Sequence, residues 1–212
     1  SGVNLRNPVQ WWRTLGGDRP LMVYAAGDPV EAYAVLRLNP DFWVLQEVKE
    51  FIWSTRRGYE AILSLFSSLS INKTEIDWFE PGDSPYLAKY FDKGAQLLVD
   101  RQIMFRVLDV PEALSLLSAT SHGEFTLEVA DEELPENRGP WRIAFSPDGV
   151  NVEKASDAEL QMDIRHFSQA LLGEPSFAQL ARQGLVDVAG LSSVEAASRL
   201  LPAQPVYCPD FF

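Results

Sequence analysis

The chain of 212 residues has one cysteine, Cys208, and two histidines, His122 and His166. A single cysteine excludes an internal disulfide and a thiolate metal cluster, in keeping with a reducing, cytoplasmic setting. Two histidines far apart in sequence argue against a zinc site, so no metal is expected. Long apolar runs are missing too. None approaches the roughly 18 residues of a membrane span, and the N-terminus lacks the basic-then-apolar pattern of a signal segment. A soluble chain with no membrane partner is expected. Positive charge is scarce in the second half: residues 1–108 carry 12 Lys+Arg against 13 Asp+Glu, whereas residues 109–212 carry 6 against 17. Such an acidic half repels nucleic acid and attracts cationic partners such as amines, although excess acid also serves solubility alone. Internal repeats and low-complexity segments are absent.

What is present is the composition of an ordinary folded protein, 46% hydrophobic and 23% charged, with enough chain for one large domain or two smaller ones. In the first half, Leu21–Ala25 and Ala32–Leu38 read as strands joined by a tight turn at Gly27-Asp28-Pro29. A third strand spans Leu45–Ser54, and Thr55 caps a helix through Leu69 with Tyr59, Ile62, Leu63, Phe66 and Leu69 at helical spacing. Strands over Lys73–Phe79 and Gln102–Leu108 flank a short helix over Tyr86–Phe91. This predicts a sheet with helices packed on it, over residues 1–108. The second half, residues 109–212, opens with a helix capped by Asp109, with Pro111 in its first turn and Leu114 and Leu117 inside it. A meander of strands at Glu124–Val129, Trp141–Phe145 and Val150–Glu153 follows, then a strand at Leu160–Ile164. Helices over Arg165–Leu172, Phe177–Gln183 and Ser193–Leu201 end at Gly173, Gly184 and Pro202. The fold class is α+β.

Few residues suggest chemistry. Thr55-Arg56-Arg57-Gly58 sits where a strand feeds a helix, a geometry that can hold phosphate, but a phosphate cradle needs more glycine, and a structural helix start is the simpler reading. His122 has no nucleophile or orienting acid at a recognisable spacing, and His166 sits at a helix start. Asp131-Glu132-Glu133 lacks the glycine-centred loop of a calcium site. Trp11, Trp12 and Trp43 read as packing residues. The unusual stretch is the end, Cys208-Pro209-Asp210-Phe211-Phe212. Two terminal rings gain nothing in solvent, so a docked tail is expected. Docking either covers core or carries the α-carboxylate to one fixed place, where it can act as a base.

Several stretches together resemble the enhanced-intracellular-survival (Eis) type GNAT N-acetyltransferases. Phe125-Thr126-Leu127-Glu128-Val129, Leu134-Pro135-Glu136-Asn137, Trp141-Arg142-Ile143, Leu160-Gln161-Met162-Asp163-Ile164, Leu171-Leu172-Gly173 and the terminal Cys208–Phe212 run resemble that family's C-terminal region. Residues 20–70 with Arg106-Val107-Leu108-Asp109-Val110 resemble its central region. The resemblance implies a degenerate GNAT-like domain with a mixed sheet over 1–108 and a sterol carrier protein-like α+β domain over 109–212. It places the acetyl-CoA-binding GNAT domain in a preceding N-terminal part. Arg57-Gly58-Tyr59-Glu60-Ala61 lacks that domain's glycine pattern, so no cofactor-binding residue is expected here and acetyl-CoA is the cosubstrate of the full-length protein only. By the same resemblance the α-carboxylate of Phe212 is the general base on a primary amine, with Phe211 and Asp210 beside it, and a tyrosine of the N-terminal domain protonates the leaving thiolate. That role requires Phe212 to end the chain. The implied partners are the N-terminal GNAT domain, a small-molecule amine and further copies in a homo-oligomer, and the chain alone should be inactive. A rival function of another class is lipid or sterol carriage without catalysis, which a sterol-carrier fold can support through an apolar tunnel.

Overall fold

The computed structural model describes residues 7–16, 21–39, 44–70, 75–90, 96–99 and 104–207, and the chain divides into two compact units. One lies within residues 2–95 together with Tyr207, the other within 96–206.

The first unit opens on a helix absent from the sequence reading, α1 (Pro8–Leu15). Its start signal is complete. Asn7 Oδ1 accepts from the backbone N–H groups of Val9 and Gln10, and Gln10 Oε1 accepts from the Asn7 N–H, a reciprocal cap with Pro8 at the first helical position. Three antiparallel strands follow in spatial order, β1 (Leu21–Ala26), β2 (Ala32–Leu38) and β3 (Leu45–Trp53). The β1–β2 turn lies where glycine allows it, with Gly27 at φ 92°. Helix α2 (Arg56–Leu69) lays Tyr59, Ile62 and Phe66 on β2 and β3. Phe51 is the hub of this core, with the rings of Trp53, Tyr59 and Phe66 at centroid distances of 4.9, 5.4 and 5.4 Å.

Two expected strands do not form among the described residues. Residues 75–80 alternate exposed and partly buried, and Ile76 and Trp78 pack on the core, but no ladder joins them to the sheet. The alternation there reports side-chain burial, not strand pairing. Residues 104–108 are likewise not strand, and the Val107 N–H is satisfied by the Ser168 hydroxyl at 3.0 Å. The short helix expected nearby is α3 (Pro85–Tyr90).

The second unit begins with α4 (Val110–Ser115), capped by Asp109. It is shorter than expected because the chain tightens after Ser115, with Leu117 N–H bonding the Leu114 carbonyl at 3.1 Å, which brings Leu117 onto the core. Strands β4 (Gly123–Ala130), β5 (Trp141–Ser146) and β6 (Gly149–Lys154) form the expected meander. β7 (Leu160–Asp163) then adds to the far side of β4 in parallel, and a two-residue β8 (Asp187–Val188) pairs with β7, giving the order β6-β5-β4-β7-β8. Helices α5 (Ile164–Leu172), α6 (Phe177–Arg182) and α7 (Leu191–Leu200) complete the unit. Alternate residues Phe125, Leu127 and Val129 of β4 meet Phe167, Phe177 and Leu180 in one core cluster. Among the described residues no helix is long and apolar enough to cross a membrane.

Candidate functional site

Asp210, Phe211 and Phe212 lie outside the described residues, and the segment leading to them is described as far as Tyr207. After α7 the chain leaves helical geometry at Leu201, which is buried, and runs on without regular structure. The Gln204 N–H donates to the Gly173 carbonyl at 3.2 Å, and the Val206 N–H donates to Glu174 Oε2 at 3.0 Å. The turn after α5 therefore holds the segment by its backbone. Tyr207 Oη donates to the Phe79 carbonyl at 3.4 Å.

Next to Phe79 in sequence stands Glu80, which the sequence reading passed over. Tyr59 Oη and Trp78 Nε1 both donate to its Oε1, at 2.8 and 2.6 Å. Burial pushes the Glu80 carboxyl above its ordinary range, and the two hydrogen bonds only partly oppose that. The Tyr59 hydroxyl is pushed up as well, first by burial and then by its bond to Glu80. The group is a half-buried carboxyl held among aromatic rings, with Tyr86 against Trp78 at 5.2 Å.

Asp131 has the opposite electrostatics. Its side chain is fully buried, and Oδ1 accepts from Arg106 Nη2 at 2.7 Å and from the N–H groups of Glu133 and Leu134. Oδ2 accepts from Asn137 Nδ2 at 3.0 Å. Burial alone would raise this carboxyl. The hydrogen bonds from Asn137, Leu134 and Glu133 and the Arg106 charge outweigh it and hold Asp131 below its ordinary value. Asn137 in turn accepts from the Val110 N–H at 2.9 Å, so Asp131 and Asn137 clamp the start of α4 to the loop after β4. The acidic turn expected at Asp131-Glu132-Glu133 is thus a structural knot, its lead carboxylate already filled.

The Thr55–Gly58 helix start is occupied by protein groups. Thr55 Oγ1 accepts from the Gly58 N–H at 3.0 Å and donates to Glu31 Oε2 at 2.6 Å, and Arg57 forks onto the same Glu31 carboxylate. The Arg57 guanidinium, then the Thr55 hydroxyl, lower the Glu31 carboxyl. His122 is exposed, and its carbonyl takes a 3.5 Å bond from Arg199 Nη2. Trp11 faces the Tyr33 ring at 6.4 Å, Trp12 is exposed, and Trp43 lies outside the described residues. An open cleft of about 590 Å³ lies between α4 and β6, rimmed by Asp109, Glu112 and Glu136. Asp109 is engaged there as the helix cap, accepting from the Glu112 N–H at 2.8 Å.

Sequence reasoning missed Glu80, Glu174 and the role of Asn137. Asn137 closes the Leu134-Pro135-Glu136-Asn137 run already singled out, so a signal existed. Glu174 carries none, because its partner Val206 is far away in sequence, and Glu80 shows its role only when the fold adds Tyr59 to the nearby Trp78.

Residues 110–209 match the sterol carrier protein domain family. Over 82 residues the chain is 32% identical to an uncharacterized N-acetyltransferase of Streptomyces coelicolor, a match covering 38% of this chain and 20% of that protein. A GCN5-related N-acetyltransferase from Anabaena variabilis superposes with a TM-score of 0.80 at 18% identity, covering 98% of this chain and 55% of that one. A probable N-acyltransferase from Enterococcus faecalis gives 0.77 at 20% identity, covering 94% and 53%. Eis1 from Mycobacterium abscessus gives 0.72 at 21% identity, covering 97% and 55%. The chain thus spans a fifth of the curated relative and about half the length of these structures. Residues 110–209 carry a sterol carrier protein domain, and the chain has the α+β fold found in the GCN5-related N-acetyltransferase and Eis1 structures.

Proposed function

We propose that this chain is the C-terminal portion of a GNAT N-acetyltransferase that moves an acetyl group from acetyl-CoA to a primary amine. The observation that carries this reading is the fold likeness, which takes in nearly all of this chain but only half of each acetyltransferase structure. The preceding half would bind acetyl-CoA. This half would supply the α-carboxylate of Phe212 as general base, with Phe211 and Asp210 in the amine pocket, and contacts between copies of the protein.

In the step, the amine nitrogen attacks the acetyl carbonyl carbon and gives up a proton to the Phe212 carboxylate. The C–N bond forms, the C–S bond breaks, and the thiolate takes a proton from a tyrosine of the N-terminal domain. An α-carboxyl ionises near about 3.5, so it is ready to accept a proton at neutral pH, and burial by neighbouring rings would raise its basicity. The acidic second half favours approach of a protonated amine, which gives one proton to water before the neutral nitrogen attacks. Lipid carriage gains no support from the second unit, whose inward Leu114, Leu127, Ile143, Phe167, Phe177 and Leu180 side chains are fully buried in one packed core.

Steady-state kinetics of the full-length protein with and without Phe212 test the reading. Deletion should lower kcat about 10²- to 10⁴-fold, as loss of a general base does, and leave the KM for acetyl-CoA unchanged. An unchanged kcat would overturn the role of the carboxylate.

A further inference from the structure

We infer that the Gly173–Glu174 turn is a positioning device for the C-terminal tail. It straps residues 202–206 by their backbone and so sets where residues beyond them can reach. The inference rests on the proposed role of the Phe212 carboxylate and adds to it the residues that aim the tail.

Three observations within the second unit meet at this turn. Gly173 ends α5 in the left-handed region, at φ 90°, which by itself explains only why glycine suits a helix end. The second observation is steric. A Cβ on Gly173 would stand 2.6 Å from the Gln204 nitrogen and 2.8 Å from the Pro202 carbonyl oxygen, both backbone atoms that no rotamer change can move. The missing side chain is therefore also the space through which the C-terminal segment passes. An Asn, which tolerates the left-handed region, would satisfy the helix end and still collide with the segment.

The third observation is the pair of hydrogen bonds. Residues 202–206 have no strand or helix to satisfy their N–H groups. The Gly173 carbonyl takes the Gln204 N–H, and the Glu174 carboxylate takes the Val206 N–H across a separation of 32 residues. A side-chain carboxylate bonded to backbone fixes the path of the segment whatever side chains it carries, and a charge-assisted bond is among the stronger ones. Phe212 stands six positions after Val206, and an extended chain of that length reaches at most about 20 Å from this anchor. Releasing the anchor frees the path of the backbone that leads into the tail and spreads the positions its carboxylate can take, which costs rate without touching the reacting groups.

Amide hydrogen exchange and kinetics on Glu174→Ala, Glu174→Gln and Gly173→Asn test this. Glu174→Ala should speed exchange at Val206 about tenfold while amides of β4 and β5 keep their protection. Glu174→Gln, which keeps an acceptor oxygen, should stay near wild type. In the full-length protein Glu174→Ala and Gly173→Asn should lower kcat about tenfold with the KM for acetyl-CoA unchanged, and Glu174→Gln should restore it. Unchanged Val206 exchange in Glu174→Ala would overturn the strap itself. Faster exchange with full activity would overturn its positioning role, provided deletion of Phe212 still abolishes turnover. If deletion of Phe212 is harmless as well, the proposed carboxylate role falls and the strap's catalytic purpose falls with it.

Discussion

Asp131 and Glu80 are both carboxyl groups removed from water, and the contest between burial and hydrogen-bond partners ends oppositely at the two. Asp131 has an arginine, an amide and two backbone N–H groups, so the fold favours its charged form. A carboxyl lowered on folding adds stability that is present above its unfolded value, about 3.9, and is lost as pH falls through the folded value. Asp131→Asn should therefore flatten the acid limb of the stability curve, as followed by urea unfolding at a series of pH values. Asp131→Ala should cost about 1–3 kcal/mol at neutral pH, because it leaves the buried Asn137 amide without its acceptor and removes the partner of Arg106 and of two part-buried N–H groups. At Glu80 burial outweighs the two neutral donors on one oxygen, and the fold favours its protonated form. A raised carboxyl gives stability present below its unfolded value and lost as pH rises through the folded one. Glu80→Gln should gain on the wild type as pH rises from acid to neutral, and a constant difference between the two across that range would contradict the assignment.

Among the elements, α2 shows most directly how close packing is bought with glycine. A Cβ at Gly58 would lie 2.8 Å from the Ala32 side chain and equally close to the Glu31 backbone. Alanine would gain about 1 kcal/mol of helix propensity at this position, but the clash with backbone costs about 1–3 kcal/mol, so Gly58→Ala should destabilise. A denaturant midpoint at or above that of the wild type would show that the helix can shift without cost. The same helix was legible in the sequence, because Thr55 and the 3.6-residue spacing of its apolar face are local signals. So were the hairpin, the meander and α5, α6 and α7, to within about two residues at each end. The strands expected at 73–79 and 102–108 did not materialise among the described residues, because alternation records which side chains are buried and not where the backbone bonds go. The parallel β4–β7 pairing could not be read either, since it depends on a crossover rather than on any turn. At the site, the docked tail expected from its composition lies outside the described residues, whereas Glu174 acquires its role only when the fold brings Val206 to it, and Asp131 adds the distant Arg106 to its local partners.

For the whole molecule, charge and length decide what the chain can do. With 17 acidic against 6 basic residues, 109–212 carry a negative field that salt screens, and under the proposed function it would draw cationic amines. The KM for a polycationic amine should therefore rise with ionic strength, while that for a monoamine should change much less. The same response for both would remove the field from the account. Matching only about half of each acetyltransferase structure, the chain should depend on the other half for turnover. The central claim is that this half brings the catalytic carboxylate to an acetyl-CoA-binding domain. Its most direct test mixes the purified N-terminal acetyltransferase domain with this chain, intact or lacking Phe212, and measures acetylation of a polyamine. The account predicts turnover on mixing with the intact chain and its loss without Phe212. Equal turnover with both, or turnover by this chain alone, would contradict it.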